Sequence, residues 1–136
     1  MVKTIVRDPI LLARRSLAAE REDVAIADDL MDTLKANAEH CVGMAANMIG
    51  ENKCIICFSD EGKYTEMFNP VLLSAKEPYE AEEGCLSLDG VRKVRRFRSI
   101  KVRWQTRRFE VRIRTYTGFT AQIIQHEMDH CAGILI

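Results

Sequence analysis

The order of elements in this sequence, a helix, a run of strands and a second helix, permits an α+β fold, expected as a single domain over residues 1–136. Three observations carry that expectation. Apolar residues recur at three-four spacing after Glu20, apolar and charged residues alternate strictly around Trp104, and an apolar helical pattern with paired histidines lies near the end. A hydrophobic fraction of 47% and a charged fraction of 29% are those of a globular chain able to bury one core.

From Glu20 to His40, Val24, Ala27, Leu30, Met31, Leu34 and Ala38 form one stripe, with Glu22, Asp23, Asp28, Asp29 and Asp32 elsewhere, so an amphipathic helix is expected. Its acids cluster towards the N-terminus, as the macrodipole favours. Gly43 and Gly50 then bracket a small-residue stretch where backbone can approach another group closely. Lys53 to Phe58 reads as a strand, Asp60-Glu61-Gly62 as a turn, and Thr65 to Ser74 as extended chain interrupted at Asn69-Pro70. Ile100, Val102 and Trp104 alternate with Lys101 and Arg103, and Phe109, Val111 and Ile113 alternate with Glu110, Arg112 and Arg114. Two half-buried strands joined as a hairpin through Gln105 to Arg108 fit that pattern. Thr117 to Thr120 offers capping hydroxyls for a last helix from Phe119 to Ala132, which Gly133 can end.

No apolar run reaches membrane-spanning length, and Met1 to Val6 lacks the marks of a signal peptide. Five cysteines, an odd number without a framework spacing, argue for reduced thiols. A cytoplasmic protein without a membrane partner is expected. Cys54 and Cys57 mimic a redox or zinc pair, but on a strand they point to opposite faces, so both are read as core residues. Net charge is zero, yet Arg92 to Arg114 holds eleven Lys or Arg and a single acid, Glu110. That stretch reads as a solvated sheet face beside the acidic segment Asp60 to Asp89, with contact to ribosomal or other RNA as the sharper alternative.

The chemistry is most explicit in Gln125-His126-Glu127-Met128-Asp129-His130. Imidazoles at i and i+4 share one helical face and can grip one metal ion, and the intervening Glu127 can service a metal-bound water. Catalytic sites of this kind usually take a third protein ligand. Cys85 is the best candidate, because Gly84 before it permits close backbone approach and a thiolate binds divalent iron or zinc strongly. A nucleophilic Cys-His pair would leave the second histidine unexplained. A peptidase of the zinc-helix type would need a downstream ligand, and no His, Asp or Glu follows His130. Purely structural zinc would leave Glu127 unpaired in a buried site.

Three segments resemble peptide deformylase: Cys41-Val42-Gly43-Met44-Ala45-Ala46-Asn47-Met48-Ile49-Gly50, Glu83-Gly84-Cys85-Leu86-Ser87, and Gln125 to His130. Their order and spacing agree with that family, and Asn69-Pro70 and Arg96 fall where it has equivalents. The resemblance implies antiparallel sheets packed around a C-terminal metal-binding helix, with the N-terminal amphipathic helix alongside. It makes Cys85, His126 and His130 the ligands of one divalent metal, expected to be Fe(2+), with Zn(2+), Ni(2+) or Co(2+) able to replace it. Glu127 becomes general base and acid, and the backbone N–H of Leu86 faces the developing oxyanion. Val42, Gly43, Leu86 and Ile123 are the implied substrate-binding residues. The implied reaction removes the N-formyl group from formyl-methionyl ends of nascent chains and releases formate.

Two departures stand out. The family's first motif has Gly where this chain has Cys41, and Gln where it has Met48. A thioether cannot donate a hydrogen bond, so an oxyanion donor is missing, with neighbouring Asn47 as a possible substitute. The Met48 change also raises two alternatives: a metal-binding protein with weak or lost turnover, and a hydrolase for another small N-acyl group. Only six residues follow His130, so ribosome attachment through a C-terminal helix is not expected.

Overall fold

The computed structural model describes residues 1–136. Five strands form one antiparallel meander in chain order: β1 (Gly43–Ala45), β2 (Ile55–Asp60), β3 (Lys63–Gly84), β4 (Val91–Gln105) and β5 (Val111–Thr117). Helices α1 (Pro9–Leu12), α2 (Val24–Ala36) and α3 (Gly118–Cys131) complete the fold. The expected α+β class is what the chain adopts.

Alternation along β2 explains how two helices share one sheet. Ile55 and Cys57 join Leu30, Leu34, Met44 and Phe68 on the α2 side, whereas Ile56 and Phe58 join Met67, Ile100, Val102 and Ile124 on the α3 side. Each such side chain, fully buried, contributes about 1.5–3 kcal/mol. Cys54 packs with the α3-side cluster and Cys57 with the other, as expected for core thiols on opposite faces. The stripe predicted between Glu20 and His40 is present, with Ala27, Leu30 and Leu34 fully buried. Regular helix is nevertheless shorter, because Arg21–Asp23 forms a 3-10 turn in which Asp23 accepts the Glu20 N–H at 2.7 Å.

The predicted turn closes the β2–β3 hairpin, with Asp60 opposite Lys63 and positive φ at both Glu61 and Gly62, as a two-residue type I′ turn requires. Asn69-Pro70 does not interrupt β3, contrary to expectation. The strand shifts register between Phe68 and Val71 and runs on to Gly84. A bulge tolerates proline, and Asn69 at φ 51° is held by paired bonds to the backbone of Ala19 at 2.8 and 3.0 Å. β4 likewise begins at Val91, well before the predicted Ile100. In that extra length Glu80 faces Arg95 and Glu82 faces Lys93 across the ladder, so much of the basic run has an acidic neighbour within the sheet.

The strand expected from Phe109 is corrected in two ways. Phe109 belongs to the loop, at φ 60°, with its ring 5.5 Å from that of Phe68. Val111 and Ile113 are 56% and 54% exposed, because α3 covers the Tyr116 end of β5 and leaves the rest open. The threonines do not cap α3 either: Thr117 makes no side-chain cap, and Thr120 donates to Asp60 at 3.1 Å. Gly133, at φ 78°, does end the helix, and its N–H reaches the His130 carbonyl at 3.0 Å. No helix is long and apolar enough to cross a membrane.

Candidate metal centre and its pocket

Helix α3 carries Gln122, His126 and His130 at four-residue intervals, so one face presents all three to the end of β3. Cys85 follows directly after that strand, and the Ser87 N–H donates to its Sγ at 3.4 Å. His130 Nε2 lies 3.3 Å from Cys85 Sγ and 3.2 Å from His126 Nε2. The three donor atoms all fall within 4.8 Å of one another.

The donor set fits a tetrahedral cation. Bonds of ~2.0–2.1 Å to nitrogen place neighbouring ligand nitrogens ~3.3 Å apart, close to the His126–His130 separation. His126 Nδ1 meets Glu83 Oε1 at 2.8 Å, leaving Nε2 to face the centre. Two imidazole nitrogens and a sulfur aimed at one another repel unless a proton or a cation lies among them. With protons alone, burial pushes both imidazoles down, but Cys85 and Glu83 reverse this at His126 and lift it to about 10. His130, lowered by burial and by charge on His126, falls to about 3. A metal ion suits both rings at once.

Glu83 organises the supports. Its carboxylate accepts from His126, from Arg96 Nε at 3.0 Å and Nη2 at 2.7 Å, and from Gln122 Nε2 at 2.9 Å. Burial works against its charge, yet these donors hold the carboxyl at about 2. Arg96 also donates from Nη1 to Asp129 at 2.6 Å, so one guanidinium ties the residue next to His130 to the segment preceding Cys85. Sequence reasoning placed Arg96 only by position and assigned no role to Glu83, Gln122 or Asp129.

Glu127 is buried, and its Oε1 has no partner. Burial raises its carboxyl to about 7, with His126 pulling the other way. It borders a cavity of about 470 Å³ whose lining includes His126, Cys85 and the predicted Val42, Gly43, Leu86 and Ile123. Phe119 and Cys41 also line it and were not anticipated there. Gly43 is required by contact: a Cβ there would lie 2.6 Å from Ile123 and 2.8 Å from Glu127 Oε2. Cys41 donates its thiol to the Gly43 carbonyl at 2.8 Å, and burial pushes that thiol up to about 12. Met48 lines the cavity and is 1% exposed. The substitute donor is excluded, because Asn47 directs Nδ2 to the His130 carbonyl at 3.0 Å.

A polypeptide deformylase family model matches residues 3–136. The chain belongs to the peptide deformylase family. It is 51% identical over 136 residues to a peptide deformylase of Clostridium beijerinckii, covering all of both chains. A class I type b peptide deformylase from Acinetobacter baumannii superposes with a TM-score of 0.90 at 28% identity, covering 99% of this chain and 96% of that one. Its Met-Ala-Ser-bound form gives 0.89 at 26% identity, over 99% and 97%. This deformylase-family chain is accordingly an enzyme, a metal-dependent hydrolase.

Proposed function

We propose that this chain removes the N-formyl group from formyl-methionyl ends of nascent polypeptides in the cytoplasm, releasing formate, with Cys85, His126 and His130 holding one divalent metal ion. The observation that carries this reading is the convergence of those three donor atoms within 4.8 Å, beside Glu127, which borders the cavity and whose buried Oε1 has no partner. Ferrous iron is the proposed resident metal, since one thiolate and two imidazoles suit it; zinc, nickel and cobalt fit the same donors. When bound, the cation supplies Lewis acidity towards water and the formyl carbonyl.

The chain's own residues account for the rest. Glu127 takes a proton from water at its free carboxylate oxygen and returns it to the departing amine nitrogen. The Leu86 backbone N–H donates towards the oxygen on which charge develops. Val42, Leu86 and Ile123 surround the methionine side chain, and Gly43, against which Ile123 and Glu127 close, lines the substrate cavity with them. The Acinetobacter relative binds Met-Ala-Ser, a peptide that begins with methionine, which supports a methionyl peptide as the substrate class. Contact with ribosomal RNA through residues 92–114 is the weaker partner proposal, since acidic β3 already faces part of that strand.

The test is formate release from a formyl-Met peptide by anaerobically iron-loaded protein. Release is expected, and Glu127→Ala should lower it ~10²–10⁴-fold, the usual contribution of a general acid–base group. Absence of formate at full metal occupancy would overturn the reading.

A further inference from the structure

Gln122 shares a cavity wall with Phe119 and Ile123, yet both ends of its amide are engaged by protein groups. Its Oε1 accepts the Tyr79 hydroxyl at 3.1 Å, and its Nε2 donates to Glu83 Oε2 at 2.9 Å. The other oxygen of Glu83 meets His126 Nδ1 at 2.8 Å. Tyr79 is held in turn by the Arg98 guanidinium, 4.6 Å from its ring centroid. We propose that Tyr79 and Gln122 form a positioning relay that fixes Glu83, and through it His126, from the wall of the substrate cavity.

The chemistry gives the relay a direction. An amide has two nearly equivalent orientations, and turning Gln122 over would set its oxygen against the Glu83 carboxylate. The Glu83 carboxylate, an acceptor only, selects the orientation that places N–H on it, and the Tyr79 hydroxyl reinforces that orientation by donating to Oε1. Glu83 Oε1, shared between Arg96 Nη2 at 2.7 Å and the imidazole at 2.8 Å, fixes the tautomer with Nε2 free. Because Gln122 and His126 lie one helical turn apart on the same face, an occupant pressing on the Gln122 methylenes acts on the group that orients His126. This makes Gln122 and Tyr79 positioning residues.

The inference rests on His126 being a metal ligand, and the experiment separates the two claims. Zinc affinity is measured by chelator competition for the wild type, Gln122→Met, Tyr79→Phe and the double variant. Gln122→Met keeps the apolar wall and removes the donor. Its zinc affinity should fall by about 3–10-fold, less than the ~10–100-fold lost with a partner bonded directly to a metal ligand. Tyr79→Phe should fall less, and the double variant should match Gln122→Met alone, because the hydroxyl acts only through the amide. On formyl-Met peptides the loss should appear in kcat, with KM little changed. A residue that only shaped the wall would move KM and leave zinc affinity untouched, and that result would overturn the relay, as would additive losses in the double variant. Should Gln122→Met fail to fold, unchanged zinc affinity in Tyr79→Phe overturns the relay by itself. Absence of zinc binding by the wild type would overturn the metal reading beneath it.

Discussion

Against one face of the sheet α2 packs Ala27, Leu30 and Leu34, all fully buried; against the other α3 packs Ile123 and Ile124 together with His126, Glu127 and His130. The α2 face is joined mainly by apolar contact, with Arg107 bridging Asp28 of the helix to Glu66 of β3 at its exposed edge and the Thr33 hydroxyl accepting the Lys3 N–H at 2.9 Å. The α3 face keeps polar and ionisable groups inside, and most are held by specific partners: Glu83 by His126, Arg96 and Gln122, and the neutral amide of Gln125 by the Phe97 backbone at 2.8 and 2.9 Å. Two buried atoms there have no protein partner, Glu127 Oε1 and His130 Nδ1. One face therefore serves stability, and the other exchanges part of that stability for an arrangement poised to act.

The contrast can be broken most strongly at Leu30. Leu30→Ala should cost about 2–5 kcal/mol of stability in a thermal or urea melt while leaving formate release per folded molecule unchanged. A parallel loss of turnover would mean that the two faces are not separable. The next effect, reversed in kind, is expected at Gly43. Gly43→Ala drives a methyl into Ile123 and Glu127, and a displacement of that carboxylate by about 1 Å should lower kcat ~10²-fold, with a smaller change in melting than Leu30→Ala gives. Met48 sharpens the boundary, since it belongs to the α2-side cluster yet reaches the cavity. Met48→Gln should raise kcat by ~10-fold, a fraction of the ~10²–10³ that removal of such a donor costs elsewhere, while the buried amide lowers the melting midpoint. Unchanged kcat in a folded, metal-loaded variant would show that the missing amide does not limit turnover.

How much the sequence revealed follows the same division. The stripe of α2 was readable because the buried side of that helix meets mostly apolar partners, Thr33 aside, which leaves a clean period. The α3 pentad and Cys85 were readable because ligand chemistry constrains residue type as tightly as spacing. The far half of β3 and the start of β4 were hidden, since those strands pair acids with bases across the ladder and offer no apolar alternation. β5 misled for the opposite reason: its alternation is genuine, but Val111 and Ile113 extend past the edge of α3 into solvent. Glu83, Gln122 and Tyr79 carry no local signal, because each gains its role from a partner 13 to 43 residues away. Only the place of Glu83 two positions before Cys85 could have drawn attention to it.

Arg96 lies between the two stretches of chain that carry the proposed ligands, bonded to Glu83 on one side and Asp129 on the other. Those stretches are 45 residues apart, and the thiol comes from one and the imidazoles from the other. Parting the strand end from the last helix therefore requires releasing both carboxylates that this one guanidinium holds.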